Sequence, residues 1–258
     1  MCLLVLAWQV HPEQRLLFAG NRDEFHQRPA RPAEWWPDAP GVLAGRDLQG
    51  GGTWLGADRE GRFAVVTNFR EPVTETGGGS PSRGRLVADF LTGSETARDY
   101  ARALDQRKGQ YAGFNLLAAD ENGLHYVTNR APGRLDLPAG IYALSNSTLN
   151  TPWPKVSRLR SAFSAILHAP PTADQLFALL ADRQPAADDE LPDTGIGRDL
   201  ERLLSPAFIV SPAYGTRCST VFSVSRDGAA RFAERSFGPD GTATGEVRKH
   251  WSTDDNAL

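Results

Sequence analysis

Cys2 is the residue of this sequence whose position could do chemistry. Once Met1 is removed, a cysteine at position 2 carries a thiol and a free α-amine on the same carbon. An α-amino group titrates at about 7.7 to 8.0, close enough to neutral pH to take the proton of its own side chain and leave the reactive thiolate. No histidine partner is then needed. The chain also supplies charged neighbours. Leu3 to Val10 and Arg15 to Gly20 are apolar runs on either side of His11-Pro12-Glu13-Gln14, the pattern of two antiparallel strands around a tight turn. A turn about Pro12 and Glu13 makes paired residue numbers sum to roughly 25, give or take two. Cys2 is therefore expected to face Asp23, with Asn21-Arg22-Asp23-Glu24 beside the thiol, where the Arg22 guanidinium would lower its pKa. Neighbours on an extended strand point to opposite faces. Arg22 and Asp23 can both reach Cys2 only if the strand has ended or bulged, whereas Asn21 and Asp23 share a face. The competing structural reading makes Cys2 a small buried residue of an edge strand and the tetrad a turn after it.

Other candidates are weaker. Cys218, beside Arg217, is a possible second site thiol but reads more simply as core. With only two cysteines there is neither a disulfide framework nor a Cys-rich metal site. Gly50-Gly51-Gly52 lacks a following Gly-Lys-Ser/Thr, so it is a flexible turn rather than a phosphate loop. Trp35, Trp36 and Trp54 could line a ligand cleft, although packing of the surrounding Pro-rich stretch explains them as well. A net charge of -3 leaves no basic excess to hold a nucleic acid backbone. The first apolar run is too short to span a bilayer and has no signal-peptide pattern, so a cytoplasmic protein with no membrane span is expected.

The elements that must position Cys2 can be read in outline. After the first hairpin, Pro29, Pro32, Pro37 and Pro40 mark a long surface excursion in which regular ladders should not run. Strand-like runs follow at Leu43 to Asp47, Thr53 to Ala57 and Arg62 to Asn68. Ser82 to Asp105 has helical spacing with a break at Gly93. Phe114 to Ala119 and Leu124 to Asn129 flank Asn122-Gly123, a strong hairpin signal, and Ile141 to Asn146 is a further strand. Thr151-Pro152 opens one helix and Thr172 another, through Leu180. Ala186 to Gly197 is an acidic solvated loop. Ser219 to Ser225 and Ala229 to Phe237 pair through Asp227-Gly228, and a tail with Trp251 ends the chain. Strands in hairpins with two blocks of helices between them give a single α+β domain over residues 1-258, with largely antiparallel sheets and helices outside.

The chain resembles the NRDE family, the transport-and-Golgi-organisation 2 type proteins. The resemblance rests on Asn21-Arg22-Asp23-Glu24, Gly51-Gly52-Thr53-Trp54-Leu55-Gly56, Thr67-Asn68-Phe69-Arg70, Tyr111-Ala112-Gly113-Phe114-Asn115-Leu116, Leu144-Ser145-Asn146-Ser147 and Tyr214-Gly215-Thr216-Arg217. It implies a four-layer αββα sandwich of the N-terminal-nucleophile hydrolase type, distantly similar to choloylglycine hydrolases and penicillin V acylases, which split linear amides without a cofactor. By that resemblance Cys2 is the nucleophile, Arg22 and Asp23 polarise it, Asn68 and Asn146 stabilise the oxyanion, and Arg217 holds transition-state charge. One departure stands out: Arg22 and Asp23 are adjacent here, whereas the acylases space them three residues apart. The resemblance also implies a second function of another class, non-enzymatic binding and trafficking of haem or of a lipophilic cofactor such as acyl-CoA. For iron the chain offers His11, His26, His125, His168 and His250. The expected partner is in either case a small molecule, an amide or acyl compound or haem.

Overall fold

The computed structural model describes residues 2–72 and 80–253. Its strands in chain order are β1 (Cys2–Trp8), β2 (Gln14–Phe25), β3 (Ala30–Trp36), β4 (Ala39–Asp47), β5 (Leu55–Asp58), β6 (Phe63–Asn68), β7 (Phe114–Ala119), β8 (Leu124–Thr128), β9 (Arg134–Leu137), β10 (Gly140–Leu144), β11 (Tyr214–Ser225), β12 (Ala229–Phe237) and β13 (Ala243–Ser252). The helices are α1 (Gly84–Thr92), α2 (Ala97–Arg107), α3 (Pro154–Ala165), α4 (Ala173–Leu180) and α5 (Arg198–Leu203). The strands form two sheets, ordered β10-β1-β2-β11-β12-β13 and β3-β4-β5-β6-β7-β8-β9, with antiparallel neighbours throughout.

The two sheets face one another, and the alternation of strand side chains assigns each residue to a layer. In β1 all seven residues are buried. Cys2, Leu4, Leu6 and Trp8 point inward to the core between the sheets, while Leu3, Val5 and Ala7 point outward under α3 and α4. Phe18, Phe63 and Phe222 meet at the centre of the inner core, with Phe63 and Phe222 stacked at 5.4 Å. Leu86, Phe90, Tyr100 and Leu104 of α1 and α2 cover the other sheet. The result is the expected αββα sandwich.

Several details differ from the sequence reading. The strand β2 runs on through Asn21-Arg22-Asp23-Glu24 to Phe25, so the tetrad is no turn. β1 lies between β10 and β2, so Cys2 is not on an edge strand. The Pro-rich excursion is an edge hairpin, β3 and β4, whose register shifts between Arg31 and Glu34 and again between Trp35 and Trp36. Pro32 sits in the first irregularity, where no ladder N–H is required of it. Finally, α3 begins two residues later than Thr151-Pro152 suggests: Trp153 is its N-cap and Pro154 its first helical residue, the position where a missing N–H costs nothing. The capping box at Thr172 and Gln175 and the cap of α2 at Thr96 follow the usual side-chain logic.

Candidate functional site

The register of β1 on β2 pairs Cys2 with Arg22, one residue from the expected partner and inside the stated tolerance. Arg22 in turn pairs with Cys218 of β11, so both thiols flank one guanidinium across three strands. Asp23 is the next residue along and turns to the outer layer with Asn21. Thr216 donates its hydroxyl to Asp23 Oδ1 at 2.8 Å. Asn21 is fully buried there: its Nδ2 donates to the carbonyls of Leu180 and Ala207 at 2.9 and 2.8 Å, and Ser219 donates to its Oδ1 at 2.6 Å. Two of the tetrad's residues therefore look into the sandwich and two into the helix layer. No bulge in β2 brings Arg22 and Asp23 to one side.

Cys2 opens into a cleft of about 370 Å³ at the end of the sandwich, lined also by Arg22, Glu24, Asp47, Trp54, Asn68 and Arg83. Arg22 stands 3.6 Å from Glu24 and 3.7 Å from Asp47, and Arg28 closes the same rim on Asp47 at 2.8 Å. Burial is the main cause that pushes the Cys2 thiol up to about 11, with the Asp23 carboxylate adding to it and Arg22 opposing. With that environment unaltered the thiol is protonated at neutral pH. Burial likewise raises Asp23, while Lys155 is the strongest charge pulling it back.

Asn68 ends β6 of the opposite sheet and lines the cleft. Asn146, fully buried, does a different job from a cleft donor. Its Nδ2 donates to the Asn68 carbonyl at 2.8 Å, and its own carbonyl accepts from Arg70 N at 2.6 Å, so it ties the loop after β10 to the end of β6. Arg217 lies in the irregularity between Thr216 and Cys218. Its Nη1 donates to the carbonyls of Phe25, His26 and Arg28 at 3.0 to 3.1 Å, bracing the turn after β2. It lines an adjoining cavity with Cys218 and Glu234, which shares Arg22, Asp47, Thr53 and Trp54 with the Cys2 cleft but is not lined by Cys2. The structure thus brings the side chains of Cys2, Arg22 and Asn68 to one cleft, turns that of Asp23 into the layer behind the sheet, and sets Asn146 behind the cleft and Arg217 beside it.

Two features of the cleft escape a reading of residue types. Gly50 and Gly52 close-pack on the start of α1: a Cβ at Gly52 would lie 2.4 Å from the Gly84 backbone, and one at Gly50 2.8 Å from Ser82 Oγ. The glycine run does form a turn, with Gly51 at φ +75° and its amide on the Asp47 carbonyl, and Gly50 and Gly52 also pack that turn against the start of α1. Arg83, just before α1, donates to the Gly113 carbonyl at 3.0 Å and faces Cys2 and Glu24. Burial lowers its pKa while those two groups raise it. Nothing in its sequence context marks it. None of the five histidines is among the described residues lining this cleft. His11 accepts from the Glu13 and Gln14 amides within the first turn, and His125 pairs with Asp136 at 2.8 Å.

A family model described as Transport and Golgi organisation 2 matches residues 1–239. The chain belongs to that family. The bovine Transport and Golgi organization protein 2 homolog is 36% identical over 92% of this chain and 93% of its own length, and the human homolog 33% identical over 98% and 97%. Among solved structures the chain is similar in fold to a Caenorhabditis elegans N-acylethanolamine-hydrolyzing acid amidase ortholog, with a TM-score of 0.53 and 8% identity over 85% of this chain and 92% of that one. It is similar also to a mutant C2A conjugated bile acid hydrolase from Clostridium perfringens, with a TM-score of 0.51 and 10% identity over 98% and 97%. At such identities the likeness is one of fold. This member of the family therefore has an N-terminal-nucleophile hydrolase-like architecture, and no helix among its described residues is long and apolar enough to cross a membrane.

Proposed function

We propose that the protein is an N-terminal-cysteine nucleophile that hydrolyses, or at the least binds, a small amide- or acyl-containing ligand in the Cys2 cleft. The observation that carries this reading is the convergence of the Cys2 thiol and Arg22 from one sheet with Asn68 from the other on one cavity. Support comes also from the two fold neighbours, an N-acylethanolamine-hydrolyzing acid amidase ortholog and a mutant C2A conjugated bile acid hydrolase.

With Met1 removed, the α-amine of Cys2 takes the thiol proton, and the thiolate sulfur attacks the ligand's carbonyl carbon. The resulting oxyanion is held by the Asn68 amide N–H, a donor worth about 2.7 to 4 kcal/mol where such groups have been removed. The C–N bond then breaks, the amine leaves with the proton from the α-ammonium, and water hydrolyses the thioester that remains. These steps call for no cofactor. Arg22, loosely held between Glu24 and Asp47, supplies positive potential beside the sulfur. Asn146 fixes the end of β6 that presents Asn68, and Arg217 braces the turn that follows β2. Two free thiols, Cys2 and Cys218, suit a reducing cytosolic compartment.

The test is turnover of a panel of short N-acyl amides by the processed chain. The account expects hydrolysis that disappears in both Cys2→Ala and Cys2→Ser. Turnover unchanged in those variants would overturn it. A protein inert toward the panel that shifts the Soret band of hemin, with the shift lost in a histidine variant, would replace this reading with haem binding.

A further inference from the structure

Three arginines line the Cys2 cleft: Arg22, Arg28 and Arg83. Two of them have carboxylate partners. Arg22 stands between Glu24 and Asp47, and Arg28 Nε donates to Asp47 at 2.8 Å with Glu24 at 3.8 Å. Arg83 differs, because among the described residues no carboxylate oxygen lies within 4.0 Å of its guanidinium. Its Nη1 donates instead to the Gly113 carbonyl at 3.0 Å, an oxygen that also accepts from the Phe69 amide at 2.9 Å. A backbone carbonyl can be met by any neutral donor, so a cation is more than Gly113 asks for. The Asp23 carboxylate is turned to the layer behind the sheet, where it accepts from Thr216. The cleft therefore sets two carboxylates, Glu24 and Asp47, against three guanidiniums, and the excess positive charge sits on half-buried Arg83. Withdrawing a cation from water without a counter-charge is costly, so the imbalance calls for an anion that the chain itself does not provide.

We propose that Arg83 determines the specificity of this cleft: its guanidinium receives a carboxylate carried by the same small ligand that presents its carbonyl to Cys2. The inference rests on the reading of the cleft as the ligand site and deepens it by naming the ligand class, short N-acyl amides that bear an acid. A guanidinium offers its N–H groups in a planar fork that matches the two oxygens of a carboxylate. With one edge of Arg83 held by Gly113, the fork has a fixed aim. A single excess positive charge is balanced by a single negative one. A phosphate monoester, with about −1.5 to −2 charges, would overshoot it beside Glu24 and Asp47. Those two carboxylates repel an incoming acid from the Arg22 and Arg28 side and leave Arg83 as its place. The cleft volume of about 370 Å³ is near the small end of ligand cavities, so an acid on Arg83 and a carbonyl at the Cys2 sulfur belong to one short molecule. The segment that presents Arg83 is also braced, since Gly52 packs against the backbone of Gly84 next to it.

The experiment measures binding by calorimetry to full-length chain carrying Cys2→Ala, so that no turnover enters. The probes are N-butanoyl-β-alanine, its neutral amide and N-butanoyl-O-phosphoethanolamine, which share one spacing between the amide and the end group. The acid is expected to bind at least about tenfold more tightly than the neutral amide, as a hydrogen bond between charged groups allows. It is also expected to bind more tightly than the phosphate. Arg83→Gln, which keeps a donor for Gly113, is expected to bring the ratio of acid to amide affinity close to one, and Arg83→Lys to retain part of it. Equal affinity for acid and amide, or binding of neither, overturns the proposal without any Arg83 variant. So does an acid preference that a folded Arg83→Gln retains, and so does a phosphate bound in preference to the acid. Failure of the nucleophile reading stays distinct, because the readout is affinity. A wild-type chain that keeps Met1 or turns over no amide would fell that reading and leave the Arg83-dependent acid preference standing.

Discussion

Cys2 and Arg22 are cross-strand partners on the inner face of one sheet, while Asp23, a single residue further on, reaches the helix layer behind it. The thiol's guanidinium and the carboxylate thus approach the chain start from opposite sides of the sheet. Because β2 is uninterrupted, these two adjacent residues face opposite sides of the sheet. One strand serves the cleft with one side chain and the amino-terminal corner with the next.

Thiol reactivity follows from the burial of Cys2. In chain that keeps Met1 the thiol titrates at about 11, so it is protonated and unreactive below that pH. Iodoacetamide labelling of Cys2 is expected to be negligible at pH 7 and to climb only as pH approaches 11. Removal of Met1 is expected to bring labelling down into the neutral range. Peptide mass spectrometry of the two forms, side by side, makes the comparison.

The Gly52 contact predicts a packing defect at the cleft wall. Gly52→Ala puts a methyl 2.4 Å from the Gly84 backbone, which cannot give way as a flexible side chain would. Forcing extra volume into such a contact costs about 1 to 3 kcal/mol. Urea unfolding should show that loss, and ligand binding in the cleft should weaken with it. Gly41→Ala, with open space around the new methyl, is expected to do neither.

Arg70 and Glu201 form a buried pair whose members depend on one another. Glu201→Gln leaves the Arg70 cation without its counter-charge and is expected to cost about 3 to 5 kcal/mol in chemical denaturation. The double variant Arg70→Met, Glu201→Leu removes both charges and is expected to recover much of that loss.

Burial of Lys155 predicts a pH dependence of stability. The folded lysine titrates at about 8, below its ordinary 10.5, so between those values the unfolded chain binds the proton and the folded chain does not. Stability gains from this group as pH rises through that window, by at most about 1.4 kcal/mol per unit, and the gain is absent below pH 8. The Cys2 thiol acts in the opposite sense above its ordinary value of 9.0, since its folded pKa is raised. The Lys155 contribution is therefore read from pH 8 to 9, as the difference in urea unfolding between wild type and Lys155→Met.

Much of this architecture is legible in the sequence because local chemistry and tertiary demand agree. Asn122-Gly123 and Asp227-Gly228 lie at hairpins, Thr172 with Gln175 caps α4, and the spacing of Leu86, Val87, Phe90 and Leu91 marks the buried face of α1. Edges are harder to read. β13 is mostly exposed and polar, so it has no period-two signal, and β3 accommodates Pro32 where the ladder is already irregular. The site divides the same way. Hairpin arithmetic puts Cys2 beside Arg22 and Asp23, but it says nothing of Asn146 turning inward to hold Asn68, because that contact joins residues far apart in the chain. Arg217 looks like a free cation until the three carbonyls it braces are in view. Lys155 did carry a signal: it falls on the same helical stripe as Leu159 and Phe163, where a lysine is rare unless its ammonium finds a hydrogen-bond partner, here the Leu204 carbonyl.

The central claim is that Cys2, freed of Met1, is the nucleophile of this cleft, and intact-mass spectrometry of purified protein before and after exposure to an acyl amide tests it most directly. The account predicts a chain lacking Met1 that gains the mass of one acyl group, mapped to Cys2 and absent in Cys2→Ala. A chain that keeps Met1 and gains no acyl group on Cys2 would contradict it.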